Sequence, residues 1–312
     1  MSNTQAITAS KSFRLIGLVC SLALFSSLSL LMGQPAQASE LPDARAIMEK
    51  VDAQQQQSND NSFSRLRLSS CRFGVQQGQV RCIENPSVRV LEGVSMNLGD
   101  NNKDNRSLLI VLEPSSERGL GMLSYSYDDP NRDNETWLYL SALNTVRRIA
   151  SGGQSSDNEP VALFGSEFTT EDQETGKLDD YDFALLESTS IQGREVWLIE
   201  TTPRAERART SRYSRTLSWI DQERLVPLRV STFDRQNQEY KRFLFSQFEE
   251  QQGLWRARSV TAMNLQTSRL SSMQTEAVQF GVSIEPEFLT QRALTDQSFR
   301  ERHLNQLRAQ SR

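Results

Sequence analysis

From residue 183 onward the chain carries seven runs rich in β-branched and aromatic residues, most of them joined by tight turns. The runs are 183–188, 195–201, 213–220, 226–233, 240–248, 255–265 and 270–280, and the turns between them carry Gln192-Gly193, Asp221-Gln222, Arg235-Gln236-Asn237 and Gln252-Gly253. Short strands joined by tight turns at this spacing describe an antiparallel meander, which curls into a barrel or sandwich. Shorter runs at 63–70, 80–83, 88–96, 108–113, 137–143 and 146–150 extend the pattern upstream. Residues 43–57, ahead of the first strand, read otherwise. There Ala44, Ile47, Met48 and Val51 recur at helical spacing behind Pro42, marking an amphipathic helix that needs the sheet to cover its apolar side.

The faces of the strands matter as much as their existence. In 240–248 one face offers Tyr240, Leu244 and Phe248 and the other Phe243 and Phe245; in 213–220 the Tyr213, Leu217, Trp219 face is apolar and the opposite one is mostly Ser and Thr. A sheet with apolar character on both sides packs helices on one side and either fills a closed core or faces a cavity with the other.

The start of the chain suggests its compartment. Residues 15–32 carry no charge, Lys11 and Arg14 precede them, and small residues follow at Ala36 and Ala38, the anatomy of a signal peptide (1–38) cleaved after Ala38 and hence of a periplasmic protein; the alternative, given an apolar run of about eighteen residues, is an uncleaved membrane anchor. In an oxidising compartment Cys71 and Cys82, flanking a hairpin centred between Gln76 and Gln77, are expected to face each other and form a disulfide. A net charge of −4, a mean hydropathy of −0.55 and 37% apolar residues exclude a polytopic membrane protein and argue against nucleic-acid binding. No cofactor or metal site is evident. The single histidine, His303, has no nucleophile elbow near it in sequence, so hydrolytic catalysis is not expected. The acidic loop Asp128, Asp129, Asn131, Asp133, Glu135 lacks the spacing of a calcium loop and reads as a turn around Pro130.

Several stretches together resemble the LolA/LolB-like superfamily of outer-membrane lipoprotein-sorting proteins: DARAIMEKVDA at 43–53, LEPS at 112–115, GLGMLSYSYDDP at 119–130, WLYL at 137–140, VRRIA at 146–150, GSEFTTED at 165–172 and FLTQR at 288–292. The resemblance implies a mainly β fold, a strongly curved antiparallel sheet forming a half-open barrel over residues 39–294, with helices covering the opening and a hydrophobic cavity for lipid or lipoprotein acyl chains. It also implies work beside a permease of the resistance–nodulation–division (RND) type. The cysteine hairpin, the polar loop 99–106 and a C-terminal helical extension at 295–312 look like additions.

A carrier of this kind needs an apolar interior and a lid rather than catalytic groups. The strand aromatics Trp137, Tyr139, Trp197, Trp219 and Trp255 are the candidates for the interior, and 161–172, with Leu163, Phe164 and Phe168 at near-helical spacing, is the candidate lid or else an ordinary covering helix. Arg204, Arg207, Arg209, Arg212 and Arg215 crowd one connection, which reads as a solvated hairpin loop or as a contact for anionic headgroups or an acidic partner. The rival to a carrier is an interaction module of an RND-type permease complex whose interior is filled by side chains.

Overall fold

The computed structural model describes residues 42–58, 61–99, 102–129, 132–149, 162–173 and 177–310. The signal-peptide expectation, Val161 of the expected lid, and Pro130 and Asn131 of the acidic loop therefore lie outside the described residues. In chain order the elements are α1 (Ala44–Ser58), β1 (Ser62–Gln76), β2 (Gln79–Cys82), β3 (Ser87–Leu98), β4 (Asp104–Glu113), β5 (Gly121–Ser126), β6 (Glu135–Leu140), β7 (Thr145–Ile149), β8 (Tyr181–Ile191), β9 (Arg194–Pro203), α2 (Ala205–Thr210), β10 (Arg215–Asp221), β11 (Pro227–Phe233), β12 (Glu239–Gln251), β13 (Leu254–Asn264), β14 (Arg269–Phe280), α3 (Gln291–Thr295) and α4 (Gln297–Gln310).

The fourteen strands of the described residues join one antiparallel sheet in the order β7-β6-β5-β4-β3-β1-β14-β13-β12-β11-β10-β9-β8, with β2 paired to the end of β1. Two meanders, β3 to β7 and β8 to β14, are thus joined side by side by the first strand. The outer strands β7 and β8 do not pair, so the sheet stays open.

Its curvature follows from what α1 reaches. Ala44, Ile47 and Val51 pack on Ile199 and Ile220 of β9 and β10, the helix also lies against β8 and β13, and its Gln56 carbonyl accepts a hydrogen bond from Asn97 Nδ2 of β3 at 3.2 Å. β3 and β8 are eight places apart in the sheet, about 38 Å if it were flat, whereas a fifteen-residue helix spans about 22 Å. The sheet must wrap around α1. This is the half-open, strongly curved barrel expected from the sequence. Asp43 caps the helix through its side chain, Oδ2 accepting from the Ala46 N–H at 3.1 Å.

The convex face of the β1–β6 half carries α3 and α4. One row of directly opposed residues, Phe63, Val94, Leu108, Leu123 and Trp137, crosses five strands and packs with Phe288, Leu289, Leu294, Phe299, Leu304 and Leu307 from the C-terminal segment. The C-terminal helix therefore belongs to the same core as the sheet. Gly121 makes the close fit possible: a Cβ there would stand 2.7 Å from Ile110 Cδ1 and 2.9 Å from Leu294 Cδ2. No described helix is long and apolar enough to cross a membrane.

Two readings of local geometry are corrected. The hairpin between β1 and β2 turns at Gln77-Gly78, where both φ values are positive, not between Gln76 and Gln77, so Phe73 rather than Cys71 lies opposite Cys82. The disulfide still forms, with a Cα–Cα separation of 5.8 Å. A two-residue hairpin loop of this twist favours glycine in its second place, and the same Gln-Gly pair makes the turns at 192–193 and 252–253. In β10 the inward residues are Ser218 and Ile220, both buried, while Leu217 and Trp219 face away.

Candidate functional site

The concave face is graded in polarity along the strands. Rows of opposed residues starting with Leu66–Leu91 and with Gly93–Leu109–Met122–Leu138 are apolar. In the other half of the sheet a separate row, Val230, Phe243 and Ala262, meets Ser271 of β14 and Ser70 of β1. All of these apolar side chains except glycine meet in one cluster with Leu163, Phe164 and Phe168.

Those three side chains reach the sheet from a turn, not from the expected helix. Ala162 and Thr169 form a single β-bridge, the Leu163 N–H donates to the Phe168 carbonyl at 2.8 Å, and Phe164 between them takes a left-handed backbone (φ 48°, ψ 39°). For a residue with a Cβ that conformation costs about 1–2 kcal/mol, so the surrounding contacts hold it in place. Leu163 is fully buried and Phe168 stacks at a tilt on Phe243 with 6.3 Å between centroids.

Polar anchors fasten the segment. Glu167 accepts from Arg269 Nε at 2.9 Å and from Asn264 Nδ2 at 3.0 Å, and its N–H donates to Ser271 Oγ at 2.9 Å. Asp172 accepts from Lys241 Nζ at 2.8 Å, from the Thr169 N–H at 2.8 Å and from the Tyr213 hydroxyl. Burial, then the neighbouring charge of Asp172, pushes the Tyr213 hydroxyl pKa far above the ordinary tyrosine value, so it stays a donor. Asp172 closes the expected lid, but Lys241 carries no signal in the sequence: an isolated lysine on a strand looks solvated until its partner, 69 residues away, is known.

The expected interior aromatics are not brought together. Trp137 and Tyr139 lie on the convex face under α3 and α4, because they stand in register with Leu123 and Gly121 on that face. Trp197 packs beside α1. Trp219 lies under the Arg229 guanidinium at 4.4 Å and Trp255 under that of Arg224 at 4.3 Å.

The arginine connection folds into α2, and Arg204, Arg207, Arg209 and Arg215 turn to acids of the same chain. Arg204 bonds Asp182 at 2.8 Å, Arg207 lies 3.6 Å from Glu171, Arg209 pairs with Glu206, Arg212 donates to the Tyr240 hydroxyl at 3.4 Å, and Arg215 lies 3.1 Å from Glu200. A cleft of about 240 Å³ beside α4 is lined by Ser283, Glu285, Phe288 and His303 among others. His303 stacks on Phe288 with 4.8 Å between centroids, and no hydrogen bond joins it to Ser283 among the described residues. No group of His, Cys, Asp or Glu among the described residues is placed to hold a metal ion.

Comparison with known proteins gives the following. A family model described as an uncharacterized protein family matches residues 103–296. No curated protein matches the chain. A DUF1329 family protein from Desulfovibrio piger is similar in structure with a TM-score of 0.70 and 23% identity, covering 80% of this chain and 97% of that one. A putative outer membrane lipoprotein-sorting protein domain from Vibrio parahaemolyticus gives 0.66 and 24%, over 81% of this chain and all of that one. A LolA superfamily protein from Nitrosomonas europaea gives 0.57 and 16%, over 80% and 98%.

Proposed function

The chain belongs to the family of uncharacterized proteins matched over residues 103–296 and carries the fold of the LolA superfamily, and from that premise we propose that it is a periplasmic carrier sheltering acyl chains, of lipid or of lipoprotein, on the concave face of its sheet. In this reading Leu163, Phe164 and Phe168 compete with the acyl chains for that place. The observation that carries the reading is the cover itself: the apolar cluster of the concave face is closed by a short turn with one left-handed phenylalanine rather than by a helix or a strand.

The energetics allow exchange. Burying three such side chains contributes about 1.5–3 kcal/mol each, while an acyl chain gains about 0.8 kcal/mol per methylene removed from water. Roughly six to eleven methylenes therefore balance the displaced turn. In this reading the export signal at 1–38 delivers the protein to the periplasm, an RND-type permease exchanges ligand with it, and no chemical step is asked of any residue. Protein purified from expressing cells and extracted for mass spectrometry is expected to release acyl lipids. Lipid-free protein that also fails to take up fluorescent fatty acid would remove the carrier reading.

The packed turn also favours a second reading, an interaction module of an RND-type permease complex with a permanently filled interior. Cross-linking in membranes separates the two: capture of a permease by protein that never holds lipid supports the module.

A further inference from the structure

Beyond the apolar rows, the concave face changes character. Ser62, Ser95, Ser107, Ser124 and Thr136 stand directly opposite one another across β1, β3, β4, β5 and β6. They share the face of Leu109, Met122 and Leu138, one row further along. Asn97 and Asn105 follow, with Asn105 Nδ2 donating to Ser95 Oγ and Asn97 Oδ1 at 2.8 Å each.

On its other side Ser62 stands opposite Phe280 of β14, and here the sheet opens. The β13–β14 ladder ends at Ser259 and Gln274, although both strands continue. Two arginines of β13 span the gap. Arg258 Nη2 donates to the carbonyls of Thr275 at 2.8 Å and Glu276 at 2.7 Å. Arg256 instead lies over Phe280, its Cζ 3.7 Å from the ring centroid, and its Nε and Nη1 are buried without a hydrogen-bond partner among the described residues. Glu249, opposite Arg256 on β12, pairs with Arg258 at 3.6 Å, so the two cations share one acid. Buried donors left unbonded cost about 1–3 kcal/mol. An anion entering the seam would recover that as the guanidinium swings off the ring.

The geometry points to a headgroup seat: the opened seam between β13 and β14, with Arg256 at its mouth and the hydroxyls of Ser62 to Thr136 leading from it, binds the phosphate and glycerol of an anionic glycerophospholipid whose chains lie against the apolar rows. Arginine matches a phosphate in shape and charge, and the hydroxyls suit a polyol. This deepens the carrier reading and rests on it.

The test compares full-length protein loaded from phosphatidylglycerol vesicles with protein loaded from diacylglycerol micelles of the same chains, bound lipid being quantified by mass spectrometry. Phosphatidylglycerol is expected to be retained at least tenfold over diacylglycerol. R256Q should abolish the preference while keeping diacylglycerol uptake, R256K should keep most of it, and S107A with S124A should weaken it several-fold, all at unchanged melting temperature. Equal retention of the two lipids, or an R256Q variant that discriminates as the parent does, overturns the seat and leaves the carrier standing. Retention of neither lipid overturns both. Displacement of phosphatidylglycerol by millimolar glycerol 3-phosphate alone would assign the site to a free phosphate ester and overturn the lipid headgroup.

Discussion

Lys241 Nζ lies 2.8 Å from Asp172 Oδ2 with both side chains 2% exposed, and this buried pair fastens the turn that fills the concave face to strand β12. Removing one partner of a buried pair leaves an uncompensated charge and costs about 3–5 kcal/mol. D172N is therefore expected to lower the melting temperature and to free the turn. Thiol labelling of an introduced F164C should be slow in the parent and fast in D172N. Labelling at the same slow rate in both would show that the pair does not control the cover.

Phe164 and Phe168 pit stability against binding. Truncation of a buried phenylalanine costs about 3–5 kcal/mol, so F164A and F168A should melt earlier. If the turn and an acyl chain compete for one place, the same variants should bind a fluorescent fatty acid several-fold more tightly. Equal stability loss without tighter binding would reduce these side chains to ordinary core.

Asp221 supplies an acid-sensitive contribution. Burial alone would raise its pKa, but the Arg194 guanidinium, at 2.7 and 2.8 Å, and the N–H groups of Arg224 and Glu223 outweigh that and hold it below the usual carboxylate value. A carboxylate with a lowered folded pKa stabilises the fold fully above its unfolded value, about pH 4, and loses that contribution as pH falls through the folded value. Unfolding midpoints from pH 7 to pH 2 should fall steeply for the parent at the acid end and less so for D221N, which starts lower. Parallel curves would contradict the assignment.

Gly121 is the point where the convex face meets α3. With Ile110 and Leu294 both under 3 Å from any added Cβ, G121V should cost about 1–3 kcal/mol and raise hydrogen exchange in residues 291–310 before the rest of the sheet. Exchange that rises evenly over the protein would not fit.

The 71–82 disulfide closes a short hairpin, for which the chain-entropy account gives about 2–3 kcal/mol. C71S with C82S should lose that much stability in denaturant titrations. A reductant should shift the parent to the variant's curve.

How much was legible depended on how local each signal was. Gln192-Gly193 and Gln252-Gly253 announced their hairpins because a two-residue turn is decided by its own backbone. The third such pair, Gln77-Gly78, carried the same message, and attending to it rather than to symmetry about the cysteines would have set the hairpin register correctly. Strand β5 was present only as a motif, since GMLSYS at 121–126 is short and starts with glycine. The exchange of faces in β10 went unseen because Leu217 and Trp219 look like core, yet Arg229 covers that tryptophan from outside.

The candidate site divides the same way. Leu163, Phe164 and Phe168 stood out as an apolar group in a polar stretch, and they do sit together on the sheet. Lys241, Arg256 and the row from Ser62 to Thr136 did not, because polar residues alternating along a strand are what a solvent face also shows.

Alternation and turn chemistry act over a few residues, so the chain by itself determined that it would become an antiparallel meander with one amphipathic helix at its start and a bridged hairpin. Those forces mark two faces on every strand without saying which becomes the inside. That was decided only when β1 slotted between β3 and β14 and the sheet wrapped α1, because the sign of a sheet's curvature depends on contacts between residues hundreds of positions apart. The same closure turned a row of serines inward and paired a lysine with an aspartate out of reach of any local pattern.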